Sequence, residues 1–216
     1  MEGLDQEAVA FWLATLFTGS FAMFDFLKKL ALVLLGEYAL YFIYRVDAES
    51  VVPGTDGFLE SLEFREIDEA AARASVDPLV QSQIQYFGSE ALAFARLDHE
   101  QVVGICIYWF GDRYRTRNFW PLADGDAKLV QIVTRADMRG HGIARSLIIS
   151  SSRAMMGRGF RSLYARVWHS NKPSWRAFSR SGWTRIALVI EINPLRRPSP
   201  MRLVLGRQPP GSSRTI

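Results

Sequence analysis

Strand-like and helix-like segments alternate along this 216-residue chain, and that alternation predicts an α/β (α+β) fold, a mixed sheet flanked by helices. Two stretches carry most of the prediction. ALAFARL (91–97) and QVVGICIYWF (101–110) are apolar runs joined through Asp98 to Glu100, the pattern of an antiparallel hairpin. AKLVQIVTR (127–135) and SLYARVW (162–168) read as strands on either side of a helical pattern, the arrangement of a strand, a crossover helix and a second strand.

From the N-terminus, residues 8–24 carry no charge, and after DFLKK a second apolar stretch, 30–44, carries only Glu37. Both are helix-like in composition. The first sits at the lower limit for crossing a hydrocarbon core of about 30 Å, and the second is short and interrupted. EGLDQE at the start is acidic where a secretory signal would be basic. Two destinations stay open for residues 8–44: association with a membrane, or packing on the main domain or on a second subunit of a homo-oligomer. Lys28 and Lys29 favour the cytoplasmic side for the chain that follows. SVVPGTDG (50–57) reads as a linker, which places a boundary near Pro53. The expected division is an apolar helical extension over 1–52, a main domain over 53–207 and a disordered tail over 208–216.

In the main domain SLEFREI (61–67) reads as a strand and residues 69–87 as a helix interrupted by Pro78. After the hairpin comes a polar, Arg-rich loop from Gly111 to Asp126. Ile143, Ala144, Leu147, Ile148, Ser151, Ala154 and Met155 recur at helical spacing, with Arg145, Ser152 and Arg153 off that face; Gly157 and Gly159 end the helix. Asn171 and Pro173 mark the start of a short helix that Gly182 stops. WTRIALVIEI (183–192) alternates as a strand, and RLVLG (202–206) reads as a last edge strand.

The net charge of +4 is unevenly spread. Nine acids against Lys28, Lys29 and Arg45 leave the first 60 residues at −6, so the remainder carries +10. Its arginines lie among apolar runs rather than in a basic-aromatic stripe, so nucleic acid is not the expected partner. Cys106 is the only cysteine, which excludes an internal disulfide or a cysteine metal cluster; no metal site is expected. In VVGICIYWF it reads as a core filler.

Arg139 to Ala144, RGHGIA, places two glycines where a strand gives way to a helix. Such a turn exposes backbone N–H groups and the positive end of a helix dipole, an arrangement that binds phosphate. Arg145 occupies the third glycine position of a dinucleotide fingerprint, and the Gly-Lys-Ser/Thr ending of a triphosphate loop is absent. The pyrophosphate of an acyl carrier remains. Here the sequence resembles the GCN5-related N-acetyltransferase (GNAT) family, whose acetyl-CoA loop is Q/R-x-x-G-x-G/A. A second resemblance follows in NKPSWRAFSRSGW, through Asn171, Ser174, Phe178 and Gly182-Trp183; together they cover about Leu62 to Ile192.

The resemblance implies a GNAT-like sheet, mostly antiparallel and twisted, with acetyl-CoA as acyl donor and direct transfer to a small amine acceptor. It implies cofactor contacts at Ile132, Val133 and Thr134 on the strand, at Arg139, Gly140, His141, Gly142, Ile143 and Ala144 in the loop, and at Asn171. Many members place a tyrosine, as acid for the departing thiolate, where this chain has Phe178. That departure leaves open a non-catalytic acyl-CoA-binding module, and the apolar N-terminal extension leaves open a long-chain N-acyltransferase at the membrane. Glu191, His169, Tyr108 and Tyr164 lie on or beside the relevant strands, and His169 is the favoured base because it follows the second strand of the pair and imidazole is a common general base.

Overall fold

The computed structural model describes residues 37–50, 61–115, 120–193 and 201–206. Two compact units emerge, Tyr41–Val189 with Val204–Ile216, and Met1–Leu40 with Ile190–Leu203. The described part of the smaller unit is 37–40, 190–193 and 201–203, where Arg202 pairs with Glu191 at 2.6 Å. The eight strands among the described residues all contribute to the larger unit: β1 (Glu37–Asp47), β2 (Glu63–Ile67), β3 (Ala91–Asp98), β4 (Gln101–Trp109), β5 (Asp126–Thr134), β6 (Ser162–Trp168), β7 (Thr184–Asn193) and β8 (Met201–Gly206). Their order in the sheet is β2-β3-β4-β5-β6-β1-β7-β8. β2 through β5 pair antiparallel in succession, β5 and β6 are parallel, and β6 and β1 are antiparallel.

β1 corrects the sequence reading. Residues 37–47 were expected at the end of a helical extension, yet they form an interior strand between β6 and β7. Tyr41 and Ile43 are buried on one face, while Phe42 and Tyr44 pack against rings of the helix that precedes β7. A strand covered on both faces shows no alternation, so a short apolar run of this kind has the same periodicity signal as a buried helix. The aromatic and β-branched content of YFIYRV was the remaining clue. The Pro53 boundary therefore cuts a core strand away from its sheet, and Tyr41, Ile43 and Tyr44 are buried rather than available to a membrane surface. Residues 1–36, the linker 51–60 and the tail 208–216 lie outside the described residues.

Among the described residues five helices accompany the sheet: α1 (Glu69–Ala74), α2 (Pro78–Gln81), α3 (Gly111–Arg115), α4 (Ile143–Gly157) and α5 (Lys172–Arg180). Local chemistry sets their ends. Asp68 caps α1 by accepting from Ala71 N at 2.6 Å, and Asp77 caps α2 by accepting from Leu79 N at 2.8 Å, with Pro78 in the first turn. α3 opens the stretch expected to be loop.

α4 crosses from β5 to β6 and buries Ile143, Leu147, Ile148, Ser151 and Met155. It lies close to β4 because Gly104 has no side chain: a Cβ there would meet Ile143 Cγ2 and Leu147 Cδ1, each at 2.8 Å. Ser152, expected off the buried face, is buried as well. Its hydroxyl donates to Ile148 O at 2.6 Å and accepts from Trp183 Nε1 at 3.2 Å, so the indole meets its need for a partner inside the core.

The two faces of the sheet are distinguished by neighbours on β4. Tyr108 Oη shares a hydrogen bond of 2.9 Å with Ser151 Oγ of α4, whereas Trp109 Nε1 donates to Tyr86 O at 2.8 Å, in the turn after α2. Successive strand residues point to opposite faces, so α4 and the 84–86 turn cover opposite sides of β4.

Candidate acetyl-CoA site

β5 is paired on both edges for only part of its length. Its parallel register with β6 runs from Asp126↔Ser162 to Leu129↔Ala165 and stops, although both strands continue. Its antiparallel register with β4 continues to Thr134↔Gly104, with an irregularity that leaves Val130 between Tyr108↔Leu129 and Ile107↔Gln131. The extra residue bends the strand, so β5 stays on β4 while it leaves β6. A fork opens after Leu129. Along Ile132, Val133 and Thr134 the edge that faces away from β4 has lost its strand partner, which leaves backbone N–H and C=O groups to be satisfied by something else.

The fork ends in the glycine turn. Gly140 and Gly142 have φ of 87° and 82°, a region that L side chains rarely adopt. At Gly140 a Cβ would meet nothing within 4 Å, so conformation and not space demands glycine there. Gly142 is the N-cap of α4 and makes no side-chain cap, so the N–H groups of the first turn of α4 receive no side-chain acceptor from the cap position.

Fork, turn and α5 enclose a cavity of about 750 Å³. Ile132, Val133, Thr134, Arg139, Gly140, Gly142, Ile143, Ala144 and Asn171 all lie in its wall, and of the residues implied by the resemblance only His141, exposed in the turn, does not. Asn171 Oδ1 accepts from Ser174 N at 3.2 Å and so caps α5; its Nδ2 is the part that can address a ligand. Arg139, Arg145, Arg176 and Arg180 also lie in the wall, with no acidic side chain among the described residues there. That set attracts a phosphate-bearing ligand. Arg145 and the two α5 arginines were missed from the sequence; Arg176 and Arg180, four apart on one helix, were the available signal. Arg145 Nε donates to Arg180 O at 3.2 Å, which ties α4 to α5 across the cavity. A second cavity, of about 900 Å³, borders the α1–α2 loop and shares Val133, Thr134 and Arg139 with the first.

The four candidate bases do not gather in this wall. Tyr108 is buried beneath α4, and burial raises its pKa. Tyr164 lies under the Arg45 guanidinium, 5.7 Å from ring centroid to Cζ, and burial raises its pKa too. Glu191 pairs with Arg202, and His169 is exposed in the turn between β6 and α5. Phe178 is buried in the wall, 5.5 Å from Tyr44 and 5.0 Å from Trp183 between ring centroids. Burial pushes the Cys106 thiol up to about 12, which suits a core residue and not a nucleophile.

A profile of the Acetyltransferase (GNAT) family matches residues 59–183. The chain belongs to this family. Its members are N-acetyltransferases that use acetyl-CoA. Among solved structures, a GCN5-related N-acetyltransferase from Sphaerobacter thermophilus is 18% identical with a TM-score of 0.54, over 78% of this chain and 56% of that one. An acetyltransferase of the GNAT family from Colwellia psychrerythraea is 16% identical with a TM-score of 0.51, over 76% of this chain and 60% of that one. At these identities the likeness is one of fold, and the chain spans less than two thirds of either neighbour's length. No curated protein matches the chain.

Proposed function

We propose that this chain transfers the acetyl group of acetyl-CoA directly to the amine of a small molecule, such as an amino sugar, an amino acid or a lipid precursor. The observation that carries the reading is the fork: a parallel strand pair that parts after Leu129 and Ala165 and leads into an uncapped helix start beneath four arginines. The glycine turn and the arginines hold the pyrophosphate, by N–H donation and charge. The unpaired edge of Ile132 to Thr134 offers amide partners to the pantetheine arm, which places the thioester toward the closed end of the fork. The amine nitrogen then attacks the carbonyl carbon, the C–S bond breaks, and its electron pair leaves on sulfur. With a thiol pKa of about 8.5 as reference, the thiolate is a tolerable leaving group near neutral pH, so Phe178 does not bar transfer.

The test is release of free CoA thiol from acetyl-CoA on addition of each amine in a broad panel. Turnover with at least one amine is expected, and binding of acetyl-CoA with no transfer to any amine, nor to the protein's own lysines, would leave only the non-catalytic module. Comparison of acetyl, octanoyl and palmitoyl donors separates the long-chain alternative.

For residues 8–24 we propose attachment to the cytoplasmic face of a membrane, supported by seventeen consecutive uncharged residues with Lys28 and Lys29 just beyond. No helix among the described residues is long and apolar enough to cross a membrane. Full-length protein should stay in the membrane pellet through a high-salt wash and be released by detergent; a defined oligomer in the detergent-free supernatant would assign the segment to subunit packing instead.

A further inference from the structure

Lysine is scarce in this chain. Of its 26 basic residues 22 are arginine and four are lysine, Lys28, Lys29, Lys128 and Lys172. The bias reaches the cavity at the fork, where the four cations of the wall among the described residues, Arg139, Arg145, Arg176 and Arg180, are all guanidiniums. A guanidinium stays protonated and does not attack a carbonyl, whereas a lysine amine that sheds its proton is a nucleophile toward a thioester. The wall is therefore charged for phosphate and inert toward an acyl donor.

Two lysines lie among the described residues, in contrasting surroundings. Lys128 is 6% exposed, and its ammonium sits 5.7 Å from the centroid of the Tyr114 ring. Lys172 is exposed and makes no ion pair among the described residues. It opens α5 between Asn171 and Pro173, both of which stand in the cavity wall together with Ser174. Its ammonium is also placed where a helix least favours one. The first turn of α5 holds no acidic side chain, so nothing on that turn offsets the charge beside the free N–H groups. Asn171 caps the helix through Ser174 N, a bond that does not involve Lys172. Loss of the lysine charge thus leaves the cap intact and removes a repulsion.

We propose that Lys172 is a self-acetylation site, modified by the acetyl-CoA bound to its own chain. The donor reaches the closed end of the fork thioester first, and on the way the thioester passes the start of α5, where the flexible lysine stem meets it. Nζ gives one proton to water and attacks the thioester carbonyl carbon. The C–N bond forms as the C–S bond breaks with its electron pair on sulfur, and one of the two protons left on nitrogen passes to the thiolate. The products are an N-acetylated side chain and free CoA. The inference rests on the acetyl-CoA reading of the cavity and adds an acceptor that the chain itself carries.

In the test, full-length protein is incubated with acetyl-CoA and no added amine, and the four lysines are followed by mass spectrometry of peptides. Lys172 should acquire acetyl at least about tenfold faster than Lys28 or Lys29, because binding raises the effective concentration of donor near it. The fraction modified per unit time should be the same at low and high protein concentration. Gly142→Val should slow Lys172 to the pace of the other lysines, and Lys172→Arg should abolish the modification while transfer to added amines persists. Three results overturn the inference: equal rates on Lys172, Lys28 and Lys29, an unchanged Lys172 rate in a Gly142→Val variant that binds acetyl-CoA more weakly, or a fractional rate that rises with protein concentration. So does an unmodified Lys172 in protein that acetylates tyramine, glucosamine or free lysine, in which case the proposed function stands. Absence of acetyl-CoA binding by calorimetry overturns both readings.

Discussion

The two halves of β5 are built from similar residues and do opposite things. Residues 126–129 pair with β6, Lys128 and Leu129 pair with β4 as well, and Ala127, Lys128 and Leu129 are buried. Residues 130–134 keep β4 alone, and none of them is fully buried. LVQIVT is as strand-like beyond the bulge as before it. The open half lacks a neighbour because one extra residue, Val130, turns it away from β6. Binding capacity here arises from backbone groups that folding left unpaired, next to a closed half rigid enough to keep them so.

The most severe way to break the contrast is to remove what holds the closed half. β1 pairs with β6 from Tyr41↔Trp168 to Asp47↔Ser162 and lies between β6 and β7. A chain starting at Val52 should therefore fail to fold, because loss of an interior strand exceeds the roughly 5–15 kcal/mol that stabilises a domain. Circular dichroism and a thermal scan check this; a cooperative transition in the truncated chain would show that β1 is dispensable.

On the open half the largest expected effect of one substitution is at Gly142. A valine at φ 82° strains the turn and sets a branched side chain where phosphate meets backbone. Gly142→Val should cost about 2 kcal/mol or more of acetyl-CoA binding by calorimetry, with the fold retained. Equal affinity in a folded variant would remove the turn from the site.

Arg176→Ala and Arg180→Ala sharpen the contrast more gently. Each should weaken acetyl-CoA about threefold to tenfold at low salt and less at high salt, because exposed charges act through a screened medium. Calorimetry at two ionic strengths reads it, and salt-independent affinity equal to wild type would place these arginines outside the phosphate path.

The smallest effect tests the closed side through pH. Cys106 is buried on β4, with its thiol pushed from 9.0 to about 12. A raised folded pKa means that the unfolded chain loses this proton first, so the contribution is complete below about pH 9 and is lost as pH rises from 9 toward 12. Denaturant unfolding should show stability falling over that range, and Cys106→Ala should flatten the fall. A thiol reagent should label Cys106 at pH 8 only after unfolding; rapid labelling of native protein would contradict the packing.

Parts of this architecture were legible because their causes are local. The hairpin 91–109, the cap at Asn171, and the glycines around α4 each follow from a few adjacent residues. β1 was not legible in the same way. Its run of apolar side chains is compatible with a helix or with a strand buried on both faces, and only neighbours in the sheet distinguish the two. Arg145, Arg176 and Arg180 looked like ordinary helix arginines, since nothing in a single helix states which other helix shares its cavity.

The sequence by itself determined the glycine turn, where glycine's freedom to take positive φ is local, and it determined the β5–α4–β6–α5–β7 run that carries the family resemblance. Only the tertiary structure decided that β5 and β6 part after Leu129 and that β1 takes the place beside β6. These are relations between segments as far apart as Tyr41 and Trp168, set by which surfaces find a partner in the packed chain, and no local propensity encodes them.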